Sequence, residues 1–161
     1  MRKQLTITDY RALAEMRYQV RRFLHFSEQA SRNRGLEPRQ HQLLLALKGL
    51  QNDVQPTIGE LAKRLLIQHH SAVELVNRLA ARGYVRRQRG ELDRREIHLS
   101  LTAKGARILG ALSLHHQSEL LTEGPALLAA LKQVIYPAGS THAKGEMVSH
   151  QSSGKTKKGN R

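Results

Sequence analysis

The chain of 161 residues contains no cysteine and no tryptophan, and only 4% of its residues are aromatic. Without cysteine it cannot form disulfides, thiolate metal sites or a thiol-based redox sensor. It has no run of about 18 apolar residues, so no segment is predicted to span a bilayer. The first nine residues are polar and lack the apolar stretch of a secretory signal. We therefore expect a cytoplasmic protein without a membrane partner.

Acidic residues are also scarce, with 13 Asp and Glu against 27 Lys and Arg, and the formal net charge is +14. Such an excess attracts polyanions, so nucleic acid is the first partner to consider. The length fits one domain, and a hydrophobic share of 39% suffices for a helical core. The composition therefore favours a nucleic-acid-binding protein, associated with the nucleoid.

The first half of the chain is patterned for helices. Apolar residues recur at spacings of three and four, Gly35 and Gly83 stand where helices should end, and Pro38 suits a first helical position. Thr57 and Glu60 have the spacing of a capping box. The predicted helices cover residues 8–34, 38–48, 57–66 and 69–82.

After Gly83 the apolar period changes to two, which predicts strands over residues 84–87 and 96–101 joined by a polar hairpin tip. A helix should begin at Thr102, break at Gly124-Pro125 and be followed by a short helix over 126–135. The last residues are rich in Gly, Ser, Thr and Lys and read as a disordered basic tail. The predicted fold is mainly α with a small β-hairpin wing, that is, a winged helix-turn-helix with further helices around it.

The fourth helix and the hairpin are the candidate surface for DNA. A helix fits the major groove, and its exposed N-terminal residues can reach base edges. Val73, Val76, Leu79 and Ala80 fall on one side of this helix, with Ala72 at its margin, and polar residues fall opposite. Such two-sidedness is generic for surface helices. The adjoining arginines, which suit phosphates or a narrow minor groove, favour the DNA interpretation: Arg82, Arg86, Arg87, Arg89, Arg94 and Arg95.

Several motifs resemble the MarR-type winged-helix regulators over about residues 10 to 135. They are the segments 36–40, 57–65 and 71–85, and a wing in which Asp93-Arg94-Arg95 precedes Leu101-Thr102-Ala103-Lys104-Gly105. The Asp-x-Arg wing with Leu-Thr-x-x-Gly at a fixed distance is the most specific of these.

The resemblance implies a homodimer held by the first helix and the last two. It divides the chain into an N-terminal dimerisation helix (1–35), a winged helix-turn-helix DNA-binding domain (36–102), C-terminal dimerisation helices (103–136) and the tail (137–161). It also implies that Arg95 contacts DNA, that Asp93 supports the wing, and that a pocket between the dimer helices and the winged domain binds a small aromatic or anionic effector.

Double-stranded DNA is thus the expected partner, and the DNA-binding residues form two groups. Base readout is expected from Gln68, His70, Ser71 and Glu74. Phosphate or minor-groove contacts are expected from Arg39, Arg86, Arg87, Arg89, Arg94 and Arg95.

Two positions depart from the family pattern. Asn77 stands where many members carry an Asp that pairs with the wing arginine, so the wing should be braced less tightly or differently. Glu37 stands where a Thr or Ser cap is common, and it is a weaker cap whose charge still suits a helix N-terminus.

Other chemistry finds little support. The pairs His69-His70 and His115-His116 diverge by about 100° on a helix, so no metal site and no cofactor is expected. His25 could line an effector pocket, although a partly exposed helix histidine is the commoner case. No catalytic motif appears, so no catalytic residues and no enzyme are expected. A DNA-binding role and a solvated terminus are equally open for the basic tail.

The leading hypothesis is a transcription regulator, expected to be a repressor, that binds a pseudo-palindromic operator as a homodimer. The alternative is a nonspecific, architectural nucleic-acid-binding protein, because a charge of +14 fits both. The paired helix and wing favour the regulator.

Overall fold

The structure is a computed structural model that describes residues 4–90 and 96–137. In order, its elements are α1 (Ile7–Asn33), α2 (Pro38–Lys48), α3 (Ile58–Leu65), α4 (His69–Ala81), β1 (Val85–Arg89), β2 (Ile97–Leu101) and α5 (Ala103–Ile135). The two strands form an antiparallel hairpin. The predicted mainly-α fold with a β-hairpin wing is confirmed.

Short polar residues begin three of the helices, as local sequence predicts. The Thr6 hydroxyl accepts from the Asp9 amide (3.3 Å), and the Asp9 carboxylate accepts in turn from the Thr6 amide (2.8 Å). The predicted capping box of α3 forms only by half. The Thr57 hydroxyl accepts from the Glu60 amide, but the Glu60 carboxylate pairs with Arg64 one turn further on.

The predicted break at Gly124-Pro125 is wrong, because α5 continues through Pro125 to Ile135. Proline removes one backbone hydrogen bond and crowds the preceding turn, which ends a helix only if nothing compensates. Here α1 packs along α5. The Arg22–Glu123 ion pair (2.5 Å) joins the two helices just before the proline, and Ala130 is buried beyond it. Tertiary packing on both sides therefore maintains one helix where two were expected.

The winged half of the molecule, α2 to β2, surrounds the main core. Its fully buried side chains come from three helices, Leu43, Leu44, Leu61, Val76 and Leu79. The hairpin is attached to the segment before α3, where the Leu99 amide donates to the Pro56 carbonyl oxygen (2.9 Å). The winged half is thus one packed unit that carries α4 and the hairpin side by side.

The long-helix half consists of α1 and α5. Unlike the winged half, it leaves many large apolar side chains exposed, among them Ile7, Tyr10, Leu114, Leu121, Leu128 and Ile135. Within the described residues no helix is long and apolar enough to cross a membrane.

Candidate nucleic-acid interface

The N-terminal end of α4 projects polar side chains from the winged half. Gln68, His69, His70 and Glu74 are exposed, and Ser71 is half-buried. The Gln68 side chain does not cap the helix. The unpaired amides of a helix N-terminus favour negative charge, which suits a surface that faces phosphates. The four residues predicted to read bases (Gln68, His70, Ser71, Glu74) thus lie together within two turns of α4.

The buried face of α4 differs from the prediction in detail. Leu75 and Ala72 are buried together with Val76 and Leu79, whereas Val73 and Ala80 are only half-buried. Relative to the prediction, the buried face of α4 is therefore rotated toward Leu75, because the helix packs against α2, α3 and β1. This rotation leaves Glu74 and Arg78 outward, where they form an exposed i,i+4 pair at 3.7 Å.

Strand β1 places three of the predicted arginines on the surface beside α4. Arg86, Arg87 and Arg89 are all exposed. Arg86 donates from Nε to the hydroxyl of Ser100 on β2 (3.0 Å), which holds the base of the hairpin. Arg39 is also exposed, in the first turn of α2. Asp93, Arg94 and Arg95 at the tip lie outside the described residues, as does the tail from 138 onward.

Asn77 braces the hairpin through an arginine that was not predicted to be its partner. Its Oδ1 atom accepts a hydrogen bond from Arg87 Nη2, which joins α4 to β1. A neutral amide oxygen binds a guanidinium less strongly than a carboxylate does. Because the Asn77 side chain is neutral, it does not compensate the positive charge of Arg87 on this surface.

A cluster at the end of α4 fixes the position of this helix. Arg82 Nη1 donates to the Gly35 carbonyl oxygen (2.7 Å), and the Arg82 guanidinium lies 5.0 Å from the centre of the Tyr84 ring. Lys104 lies 4.8 Å from the same ring and donates to the Arg82 carbonyl oxygen. Helix α4 is thereby tied to both the α1–α2 turn and the start of α5.

Gly105 allows the closest approach in this cluster. A Cβ atom at Gly105 would lie 2.0 Å from the carbonyl oxygen of Tyr84, well inside van der Waals contact. Only glycine therefore fits where α5 crosses the chain between α4 and β1. The Gly of the Leu-Thr-x-x-Gly motif thus has a packing role.

Two buried histidines were missed by the sequence analysis. His41 on α2 and His116 on α5 face each other with ring centroids 4.8 Å apart. Both lie beside an apolar cavity, whereas His25 is exposed and does not line it. The available signal was position, because His116 continues the buried α5 stripe of Gly105, Leu109 and Leu112. The described residues contain no group of three or more His, Cys, Asp or Glu that could hold a metal ion.

Similarity to solved structures supports this reading of the fold. AbsC, a MarR-family transcriptional regulator from Streptomyces coelicolor, aligns with a TM-score of 0.66 and 22% identity over 84% of this chain and 94% of its own. A mutant of MepR from Staphylococcus aureus bound to an oligodeoxyribonucleotide aligns at 0.59 and 19%, over 82% and 97%. CouR from Rhodococcus jostii, bound to p-coumaroyl-CoA, aligns at 0.54 and 20%, over 71% and 85%.

Sequence comparison adds a family match for most of the winged half. No curated protein matches the chain. Residues 34–96, however, match the model of the MarR family, and this segment runs from the end of α1 to the start of the second wing strand. The segment that the family model covers includes α4 and β1 and ends just before β2. Residues 34–96 are therefore similar to the MarR family, and the chain shares the fold of solved MarR-family regulators.

Proposed function

We propose that the protein is a sequence-specific DNA-binding transcription regulator that acts as a homodimer, as a repressor, on a pseudo-palindromic operator. One observation carries the proposal, namely that the exposed N-terminal end of α4 stands beside a hairpin strand with three exposed arginines. Gln68, His70, Ser71 and Glu74 would read bases, and Arg39, Arg86, Arg87 and Arg89 would bind phosphate or the minor groove. The role is regulatory rather than catalytic.

The wing tip belongs to the same proposal. Arg94 and Arg95 would extend the basic surface of β1 along the DNA backbone, with Asp93 supporting the tip. The DNA-bound MepR mutant shares the fold, which supports a DNA-binding role for this arrangement.

The proposed dimer rests on the long-helix half. The apolar side chains exposed on α1 and α5 form a surface that water disfavours and that a second copy of the chain could cover. A two-fold dimer would present two α4 helices about one DNA turn apart, roughly 34 Å. Each half of the operator would then be contacted by one winged half.

Fluorescence anisotropy of the full chain tests the proposal. Binding is measured on the DNA upstream of its own coding sequence and on scrambled DNA of equal length, across a salt series. A preference of about a thousandfold or more at two chains per site is the expected result. Equal affinity for both DNAs with a steep salt dependence would instead support the nonspecific architectural protein, in which counterion release supplies the affinity.

Two variants sharpen the test. Glu74→Ala alters the surface proposed to read bases, so it should change the ratio between operator and scrambled DNA. Arg86→Ala should weaken both about equally, because a phosphate contact carries no sequence information. Identical effects of the two substitutions would contradict the division of roles.

A further inference from the structure

The alternation of side chains along β1 determines which arginine of this strand faces α4. Arg87 is paired with Leu99 across the hairpin, and directly opposed residues of an antiparallel pair carry their side chains on the same face. Leu99 is 3% exposed, and so is Val85, two residues before Arg87. Arg87 therefore lies on the face of the hairpin that packs inward, whereas Arg86 lies on the opposite face and bonds to Ser100.

On α4, Asn77 meets Arg87 at the edge of the core. Asn77 is exposed and directly follows Val76, which is fully buried. Its Oδ1 atom accepts a hydrogen bond from Arg87 Nη2. A guanidinium has five N–H groups, and within the described residues this is the only hydrogen bond that the Arg87 side chain makes. Most donors of Arg87 are therefore oriented by α4 but still available to a further acceptor.

The charge of Arg87 is not compensated by a neighbouring carboxylate. The acidic residues among the described parts of α3, α4 and the hairpin region each contact another basic side chain, in the pairs Glu60–Arg64, Glu74–Arg78 and Glu96–His98. None of the ion pairs among the described residues includes Arg87. Arg87 therefore keeps its full positive charge on the surface beside α4.

The position of this charge indicates which part of a DNA duplex it would meet. In the proposed complex α4 enters the major groove and the hairpin lies along the backbone or the minor groove. The sugar-phosphate backbone separates these two grooves. Arg87 belongs to β1 but is bonded to α4, so it would lie over that backbone. A guanidinium can bind a phosphate through two N–H groups at once.

We propose that Arg87 binds the backbone phosphate between the groove entered by α4 and the groove met by the wing, and that Asn77 positions Arg87 there without neutralising it. The inference rests on the proposed function, because it needs α4 and the wing to lie on DNA. Asn77 is a positioning residue, since it acts on DNA through Arg87.

The neutrality of Asn77 is the property that matters for this role. A carboxylate at position 77 would bind the Arg87 guanidinium more strongly than an amide does. It would also compensate the charge that attracts the phosphate and would itself repel DNA. A carboxylate would therefore brace the hairpin better and bind DNA worse, so the two effects have opposite signs.

Asn77→Asp tests this opposition. Fluorescence anisotropy of the full chain is measured on operator DNA and on scrambled DNA of equal length, across a salt series. We expect the affinity for both DNAs to fall about tenfold, the effect of losing one hydrogen bond to a charged group. The slope of log Kd against log salt concentration should decrease by about one.

Thermal unfolding of the same variant shows whether the hairpin is still braced. The midpoint should stay near that of the wild type, because a carboxylate binds a guanidinium at least as well as an amide does. If Asn77 only braced the hairpin, the stronger bond of Asn77→Asp would maintain or raise the DNA affinity. That result would overturn the inference.

Asn52→Asp is the matched control for the added charge. Asn52 is also exposed in the winged half, in the turn between α2 and α3, and the substitution again replaces an amide by a carboxylate. It should change the DNA affinity by less than about twofold, because exposed charges are screened by salt. Equal losses in Asn77→Asp and Asn52→Asp would show that net charge, rather than the contact with Arg87, controls the affinity.

Alanine variants test whether Asn77 acts through Arg87. Arg87→Ala should weaken binding to both DNAs about tenfold and lower the salt slope by about one. Asn77→Ala removes the orienting bond but keeps the charge, so it should cost about threefold and leave the slope unchanged. In the Arg87→Ala background, Asn77→Ala should cause no further loss. A full additional loss in the double variant would contradict the positioning role, and this test does not need Asn77→Asp to fold.

The wild-type measurements separate this inference from the proposed function. Specific operator binding that Asn77→Asp and Arg87→Ala both leave unchanged would overturn the inference alone. Equal affinity of the wild type for operator and scrambled DNA, together with the expected losses in the variants, would overturn only the sequence-specific function.

Discussion

The winged half and the long-helix half bury their apolar side chains to different degrees. In the winged half, Leu43, Leu44, Leu61, Val76 and Leu79 are fully buried within a single chain. In the long-helix half, Leu121 is 77% exposed, Leu114 69% and Ile7 65%. The winged half is therefore packed largely within one chain, whereas the long-helix half presents an apolar surface to solvent. The proposed dimer would account for this difference, because it would cover the exposed side chains of α1 and α5.

The junction between the halves gives the largest expected effect. Gly105→Val places side-chain atoms where the Tyr84 carbonyl lies, since even a Cβ would approach its oxygen to 2.0 Å. We expect the free energy of unfolding to fall by more than about 3 kcal/mol, because backbone must move to relieve the overlap. Chemical denaturation followed by circular dichroism measures it.

Gly110→Ala is the matched control for this substitution, in the same helix with open space around the added Cβ. It should be neutral or stabilising by up to about 1 kcal/mol, because alanine favours a helix over glycine. A similar loss in both variants would show that helix geometry, rather than contact with Tyr84, sets the requirement for glycine.

The exposed apolar surface gives the second prediction. Leu121→Lys puts a charge on the face proposed for dimerisation, and a two-fold interface meets the substitution twice. We expect the dissociation constant of the dimer to rise by about a hundredfold or more. Analytical ultracentrifugation across a concentration series measures it.

Leu66→Lys is the control, because Leu66 is 92% exposed but lies between α3 and α4 in the winged half. It should leave the oligomeric state unchanged. Dissociation caused by Leu66→Lys, or none caused by Leu121→Lys, would place the interface elsewhere.

Acid stability probes the contact of His41 with His116 between the halves. Above pH 6.5 His41 is neutral in both the folded and the unfolded chain, so it adds no pH dependence. Between pH 6.5 and about 4 the unfolded chain binds a proton at His41 and the folded chain does not, because burial lowers the pKa of His41 in the folded chain to about 4. The free energy of unfolding should therefore decrease as pH falls, by at most about 3 kcal/mol, and this loss should level off below pH 4.

Urea denaturation at pH 7, 6, 5 and 4 tests this dependence. His41→Phe should show a shallower loss than the wild type, since it removes the titrating ring. Leu44→Met, a core substitution on the same helix with no titratable group, should keep the wild-type slope. Equal slopes in wild type and His41→Phe would show that His41 does not control the acid response.

Local sequence signals predicted the fold where the cause was local. The cap at Thr57, the proline at the start of α2, the left-handed Gly83 and the alternation of Leu99 with its neighbours act within a few residues. Pro125 defeated the prediction because α1, distant in the sequence, supports α5 on both sides of it. Local rules fail where a long-range contact supplies what the local sequence lacks.

The candidate site divides in the same way. Gln68, His70 and Glu74 could be placed on the surface by counting along one helix. The Asn77–Arg87 hydrogen bond joins α4 to β1, and the His41–His116 contact joins α2 to α5. The periodicity of one helix carries no information on how two elements are placed relative to each other, so neither contact could be predicted. Leu75 was omitted from the buried face of α4 because the inward direction depends on α2, α3 and β1 together.

The smallest expected effect concerns Leu66, an exposed apolar residue in the otherwise well-packed winged half. Leu66 ends α3 in the left-handed region, with φ of 54°, and its side chain is 92% exposed. The Leu66 side chain gains no stabilisation from burial, because it is exposed. The left-handed backbone costs about 1–2 kcal/mol for most residues. Asparagine tolerates this region better, so Leu66→Asn should stabilise the chain by up to about 1 kcal/mol.

Leu45→Asn, on the regular helix α2, should instead destabilise it by a few tenths of a kcal/mol, because asparagine is a poorer helix former. Thermal unfolding of the two variants at one protein concentration would show opposite shifts, and shifts of the same sign would mean that backbone conformation at Leu66 does not limit the stability of the turn.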